Sequence, residues 1–333
     1  MSNRCIKFVG GLCLAVVLAS WVLMPQTAHS AGALSSRAPL PLLVRARQGD
    51  TPATLAQRYL KDASQGWLIS EYNDKSIFSP GEAVLIPQRT FRLGGLHPDG
   101  IQAAPVIVYG ERGVGSGKKP RFSSKGFRNQ MQWMAAHGFS AVTPDQLVDF
   151  MALAGQLPRR GVLITVDTES QSFYEQAVPV LNELGMTAAI FIAAGNVGRQ
   201  GTMSWDQVRH LHNQGFTIGC RGRNGRSLIR RKKGQSFQAN FNWIASELRL
   251  AKKKIEVELG TVCRYLAYPE GHSNGLVAAM TANLGFAAAF NRLPGSTPFF
   301  ADRFSIHRNR IDPSMAPDQL GDLLTTTMAM DLN

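Results

Sequence analysis

Leu163-Ile164-Thr165-Val166-Asp167-Thr168-Glu169 is the stretch that decides the fold. Together with Val162 it forms a short apolar, β-branched run. Such a run suits a strand buried on both faces inside a parallel sheet. It ends on a carboxylate. In sheets of parallel strands joined by helices, chemistry collects at the carboxyl ends of the strands. Asp167 is therefore the first candidate for a functional position, followed at once by Thr168 and Glu169.

Working outward, further strands are expected at 105–109, 188–194, 216–220, 264–268, 287–291 and 303–308, besides 162–167 itself. Helical stretches fit between them. Thr143-Pro-Asp-Gln146 and Ser204-Trp-Asp-Gln207 have the spacing of capping boxes, in which the hydroxyl and the amide satisfy each other's backbone N–H groups. Residues 237–259 read as a long amphipathic helix with a basic face. Seven strands with interleaved helices predict an α/β fold of distorted (β/α)7-type barrel form rather than an open sheet.

The amino-terminal third is organised differently. Arg4 and Lys7 precede an uncharged run from Phe8 to Met24, then Pro25 and small residues at Ala28, Ser30, Ala31 and Ala33. That is the layout of an export signal over 1–30, with cleavage expected after Ser30. An uncleaved amino-terminal anchor is the other possibility, although the run is just short of the ~20 residues a spanning helix needs. Export places the chain in the periplasm or cell envelope, and no later stretch is long and apolar enough to span a bilayer.

Residues 31–42 form an Ala-, Ser- and Pro-rich linker. Residues 43–90 read as strand, helix, helix, strand, with Gly49-Asp50-Thr51 opening the first helix, Asn73 closing the second, and Pro80-Gly81 turning into Ala83-Val-Leu-Ile-Pro87. A second linker at 91–104 leads into the α/β domain, 105–333.

The formal charge is +13, which draws a protein toward anionic partners such as acidic glycans or lipid head groups. Export argues against a specific nucleic-acid partner. The loop after Cys220 concentrates this charge: Arg221, Arg223, Arg226, Arg230, Arg231, Lys232 and Lys233 occur with no acid before Glu247. Arg suits bidentate recognition of carboxylate or phosphate. The loop is either such a binding element or a solvated insertion.

Of the four cysteines, Cys5 and Cys13 lie in the signal. Cys220 and Cys263 are expected at opposite ends of neighbouring parallel strands, about five residues apart in register, or on the order of 15 Å. A disulfide needs Cα atoms within ~7 Å, so both thiols are expected free.

Two resemblances follow from these motifs. Residues 43–90 look like a LysM module, on the strength of Gly49-Asp50-Thr51, Asn73, Pro80-Gly81 and Ile86-Pro87. That resemblance implies a small βααβ unit that binds N-acetylglucosamine-containing glycans between the loops 49–52 and 74–79. It points to Gly49, Asp50, Thr51 and Asn73. Pro52 departs from the family's usual aliphatic residue. A small spacer without a ligand is the alternative.

Residues 105–312 resemble the NodB-homology polysaccharide deacetylases. The match rests on Tyr109, Phe127, Met131 to Gly138, Asp167, Pro179, Leu181, Thr187, Ala189, Phe191, Met203-Ser-Trp205, the approach to Cys220, Ala267-Tyr-Pro269, Gly271 and Arg308. The resemblance implies metal-dependent removal of acetyl groups from N-acetylated sugars, with Asp167 as the general base. It places Tyr109, Tyr268, Pro269, Glu270 and Arg308 in the groove.

The same alignment of motifs puts Thr168, Arg221 and Gly225 where the family keeps its metal-binding Asp and two His, and Gly110 where it has a further His. Gly has no side chain, Thr is a poor ligand, and an Arg cation repels a divalent ion. No cofactor is therefore expected. The chain is expected to be an exported, catalytically degenerate member that binds peptidoglycan or another N-acetylated or acidic glycan, with Arg221, Arg223 and Arg226 contributing to the acidic case. The alternative is an active hydrolase with Asp167 as base and a non-standard site, for which Glu169 and His272 are the remaining candidates.

Overall fold

The computed structural model describes residues 40–88, 95–97, 100–110, 124–231 and 233–329. The signal, residues 31–39 of the first linker, residues 89–94, 98–99 and 111–123, Lys232 and residues 330–333 lie outside them; residues 96–97 and 100–104, expected as linker, are instead in strands.

The chain begins with β1 (Leu42–Arg45), α1 (Pro52–Tyr59), the one-turn helix Ala63–Gln65, α2 (Gly66–Asn73) and β2 (Ala83–Ile86). β1 and β2 pair antiparallel, Leu43 opposite Leu85. The expected strand, helix, helix, strand order is present. Thr51 caps α1, its hydroxyl accepting from the Thr54 N–H, and Pro52 occupies the first turn, where its missing N–H costs nothing. Leu55, Ala56, Ile69, Val84 and Ile86 form a small separate core.

β3 (Leu96–His97) and β4 (Gly100–Gly110) open the second part. Then follow α3 (Ser124–Ala136), β5 (Ser140–Ala141), α4 (Pro144–Met151), β6 (Gly161–Asp167), α5 (Gln171–Gln176), α6 (Val178–Glu183), β7 (Ala189–Ile192), α7 (Trp205–Asn213), β8 (Thr217–Cys220), α8 (Phe237–Leu259) and β9 (Tyr265–Ala267). The chain ends with α9 (Gly275–Asn283), β10 (Ala288–Phe290), β11 (Ser296–Pro298), β12 (Asn309–Arg310), α10 (Pro317–Leu323) and β13 (Thr327–Met328). Residues 41–333 form one compact unit, within which Glu71 accepts from the Arg159 N–H at 2.5 Å.

The main sheet runs β10-β9-β8-β7-β6-β4, all parallel, with β11 antiparallel at the far edge. It is a curled α/β sheet. Both expected capping boxes form at α4 and α7. α8 spans the expected 23 residues, from an N-cap at Ser236 to Gly260 in the left-handed conformation.

Two expectations need correction. The strand at 303–308 does not form. Ile306 makes only a parallel bridge to Phe290, and β12 pairs with β4 three residues later, Asn309 opposite Ile107. The segment thus touches both β10 and β4 without becoming a full stave. Its Arg308 side chain turns into the interior, and Arg308 N–H bonds the Leu293 carbonyl. The cysteine register is also shorter than expected. Cys220 lies opposite Leu266, only three residues beyond Cys263. Both thiols are free and buried, and burial pushes the Cys220 thiol up to about 12.

Candidate functional site at the mouth of the curled sheet

Strand alternation decides which β6 side chains meet the interior. Leu163 packs in the inner core with Val106, Phe191 and Phe290, while Ile164 and Val166 face the helices. Asp167 follows Leu163 and Thr165 on the inner face and is fully buried. Arg308 meets it with two parallel bonds, Nη1 to Oδ1 at 2.7 Å and Nη2 to Oδ2 at 3.0 Å. The same guanidinium donates to the Asn291 carbonyl at 2.7 Å and the Thr165 hydroxyl at 3.3 Å. A second guanidinium, Arg292, donates Nη2 to Asp167 Oδ2 at 2.8 Å.

Burial by itself would raise the Asp167 carboxyl. The charge and hydrogen bonds of Arg308, with the added fields of Arg292 and Arg221, overcome it and hold the group at about 2. Glu169 makes a separate pair: Arg221 Nη2 donates to its Oε1 at 2.7 Å, and the Ala193 N–H donates to the same oxygen.

Two glycines flank this arrangement. Gly110 stands directly opposite Asp167 in register, and a Cβ there would lie 3.5 Å from Arg292 Nη2. Gly271, at φ +78°, lies under the Arg292 stem, and a Cβ there would fall inside its aliphatic carbons. Arg292 therefore keeps this path to Asp167 because Gly271 carries no side chain, while a Cβ at Gly110 would only touch its Nη2. On the other side Gly225 takes a left-handed conformation, at φ +65°, and a Cβ there would lie 3.8 Å from the Arg221 guanidinium, an ordinary contact.

Other expected site residues lie elsewhere. Tyr109 and Tyr268 do not line the groove. By the same alternation their rings enter the helix-facing core. Tyr109 donates to Gln130 Oε1 at 2.9 Å, and Tyr268 to the Phe304 carbonyl at 2.9 Å. Pro269 is buried. Glu270 takes a left-handed conformation and pairs with Arg230 at 3.0 Å. His272 lies 3.8 Å from Glu270. Asp167, Glu169 and His272 thus have different partners. Among the described residues, no three His, Cys, Asp or Glu side chains converge where they could hold a metal. Thr168 accepts from the Ser170 N–H through its hydroxyl, a turn bond.

The loop after β8 is not merely solvated. Ser227 and Leu228 are buried, Gly222 and Arg223 carbonyls accept from Ala194 and Gly195, and Asn224 bonds Glu247 on α8. Arg223, Arg226, Arg230, Arg231 and Lys233 are exposed around that anchor.

In the amino-terminal unit the singled-out residues serve the fold. Asp50 accepts from Arg58 Nη1 and Nη2 at 3.0 and 2.6 Å and from the Arg47 N–H at 2.8 Å. Asn73 bridges α2 to β2, donating to the Ile69 and Leu85 carbonyls and accepting from the Leu85 N–H. Gly49 takes the left-handed turn at φ +83°.

Sequence reasoning missed Arg292. It lies two residues past the end of β10, close to where side chains aim at the mouth. The signal was available in Asn291-Arg292, but the deacetylase motifs drew attention to other segments.

Comparison with known proteins agrees with this fold. Residues 154–289 match the family model described as Polysaccharide deacetylase. YxkH of Bacillus subtilis (strain 168) is 24% identical over 217 residues, covering 65% of this chain and 74% of that protein. A poly-beta-1,6-N-acetyl-D-glucosamine N-deacetylase of Staphylococcus aureus (strain MRSA252) is 22% identical over 195 residues, covering 55% and 67%. The structure of the Streptococcus pyogenes deacetylase PplD in complex with acetate superimposes with a TM-score of 0.60 at 19% identity, covering 67% of this chain and 98% of that one. IcaB from Ammonifex degensii gives 0.57 at 24%, covering 67% and 97%. The similarity to the polysaccharide deacetylase model thus covers residues 154–289, the stretch that runs from before β6 into β10 and holds both carboxylates of the mouth.

Proposed function

We propose that this is an exported glycan-binding member of the polysaccharide deacetylase family that does not catalyse deacetylation. The observation that carries the proposal is the set of three guanidinium groups, Arg221, Arg292 and Arg308, on the two carboxylates at the end of β6. Family membership by itself does not imply activity. A divalent cation needs several uncommitted oxygen or nitrogen ligands. Here each carboxylate already faces a cation, the neighbouring positions are Thr168, Gly225 and Gly110, and the donor set does not fit a metal. A carboxylate held at about 2 is also a weak proton acceptor near neutral pH, far from the matching pKa a general base needs.

The LysM-like unit supplies a second glycan contact in this proposal. Because Asp50 and Asn73 are engaged within the fold, the contact would come from the backbone and flanks of the loops 49–52 and 74–79 rather than from those side chains. Among the described residues no helix is long and apolar enough to cross a membrane. The relatives that are N-deacetylases of poly-beta-1,6-N-acetyl-D-glucosamine support an N-acetylated polysaccharide as the partner class.

The competing possibility is a working deacetylase with Asp167 as base. Full-length protein is incubated with peptidoglycan and with N-acetylglucosamine polymers, and both retention and released acetate are measured. Retention without acetate is expected. Acetate release that disappears in Asp167→Ala would overturn the non-catalytic assignment.

A further inference from the structure

Among the described residues of the mouth the charges do not balance, and the imbalance falls on one residue. Asp167 is neutralised by Arg308, which has no exposed side-chain surface and makes two direct bonds to it. Glu169 is neutralised by Arg221. Arg292 is left as a third cation against a carboxylate that already has its counter-charge.

Its position is costly. The Arg292 side chain is 26% exposed, so most of its hydration is lost. Among the described residues it donates one hydrogen bond, from Nη2 to Asp167, and its buried Nε has no partner there. A guanidinium carries five N–H donors, and desolvating it is offset only by good geometry to an opposite charge. The pull of Asp167 is reduced because Arg308 lies on the same carboxylate. The exposed part of Arg292 lies beside Gly110, which is itself exposed and adds no side chain to block approach. Arg221, 18% exposed, lies in the same field, since both arginines act on Asp167.

We propose that Arg292 anchors an anion subsite at the mouth of the sheet, taking an oxyanion substituent carried on a sugar: a carboxylate, sulfate or phosphate. Incoming oxygens would complete the hydrogen-bonding capacity of the exposed guanidinium edge and supply the missing counter-charge. The planar fork of Arg suits such groups better than Lys does. This inference rests on the glycan-binding assignment and names the class of sugar that the barrel end would accept. Arg223 and Arg226, exposed on the adjoining loop, would steer acidic chains toward the mouth without making the specific contact.

The test uses the full-length chain and calorimetric titration at high salt, where exposed charges are screened. Probes are an oligogalacturonate, a sulfated oligosaccharide, inorganic phosphate and a neutral N-acetylglucosamine oligomer. Variants are Arg292→Met, Arg292→Lys and the double change Arg223→Ala/Arg226→Ala. At least one acidic oligosaccharide should bind, and Arg292→Met should weaken it by about tenfold or more. Arg292→Lys should recover only part of that, and the loop variant should alter binding mainly at low salt. Thermal melting of Arg292→Met checks that the Asp167–Arg308 pair still holds the fold.

Acidic binding that Arg292→Met leaves unchanged would overturn the subsite. So would inorganic phosphate binding with no acidic oligosaccharide binding. If the neutral oligomer binds and no acidic one does, the subsite falls while the glycan-binding assignment survives. If no glycan binds, both fall.

Discussion

The βααβ unit and the mouth of the curled sheet both carry polar residues that look functional, yet the two regions treat them differently. In the first, Asp50 faces one guanidinium and one backbone N–H, and Asn73 uses both ends of its amide on backbone partners. Charge and hydrogen bonds close within the unit, so these residues specify architecture. At the mouth, among the described residues, two carboxylates face three guanidiniums, and Arg292 remains undersatisfied. A polar residue with complete internal bonding is explained by the fold. A buried charge in excess asks for something outside it.

Removing Arg308 should break this comparison most severely. Arg308→Ala strips Asp167 of its fully buried partner, and an uncompensated buried charge costs about 3 to 5 kcal/mol. Denaturant titration should show that loss. A change below about 1 kcal/mol would mean that Arg292 alone satisfies the carboxylate and that there is no surplus cation.

The same pair should appear in the pH dependence. The Asp167 carboxyl is depressed in the folded state to about 2, against about 3.9 when unfolded. Its contribution to stability is therefore fully present above about pH 4 and is lost as pH falls through about 2. The size is roughly 2 to 3 kcal/mol. Stability measured over this acid range should drop more for the parent than for Asp167→Asn. Parallel curves would show that the carboxylate is not held as described.

Asn73→Ala sharpens the other side. It leaves the Leu85 N–H and carbonyl without their side-chain partner, at about 1 kcal/mol, since both bonds are exposed. Hydrogen exchange should locate the loss at β2, with amides of β6 unaffected. If Asn73→Ala instead keeps β2 protected but abolishes binding of N-acetylglucosamine polymers, the residue is a sugar contact and the architectural assignment fails. Smallest of all, Arg223→Ala/Arg226→Ala should change stability by no more than about 0.5 kcal/mol, since both side chains are exposed.

Much of this was legible in the sequence, for physical reasons. The β6 run, the capping boxes and α8 are specified by local periodicity and hydrogen-bond chemistry within a few residues. The carboxylate at the end of β6 followed from strand direction alone. What was not legible depended on register and on distance in space. Tyr109 and Tyr268 were assigned to the groove by motif, but pleat alternation sends Gly110 inward and Tyr109 outward. The segment 303–308 has strand-like composition, but it is bent to deliver Arg308 into the interior, and only Ile306 pairs. Arg292 meets Asp167 across 125 positions of chain, over two glycines, and no local pattern announces that contact.

The most direct test is elemental analysis of the full-length protein after exposure to zinc and removal of free metal. A mouth closed by Arg221, Arg292 and Arg308 should retain no stoichiometric zinc, and Asp167→Ala should make no difference. About one zinc per chain, lost in Asp167→Ala, would show that the carboxylate is a metal ligand and that the site is built for hydrolysis after all.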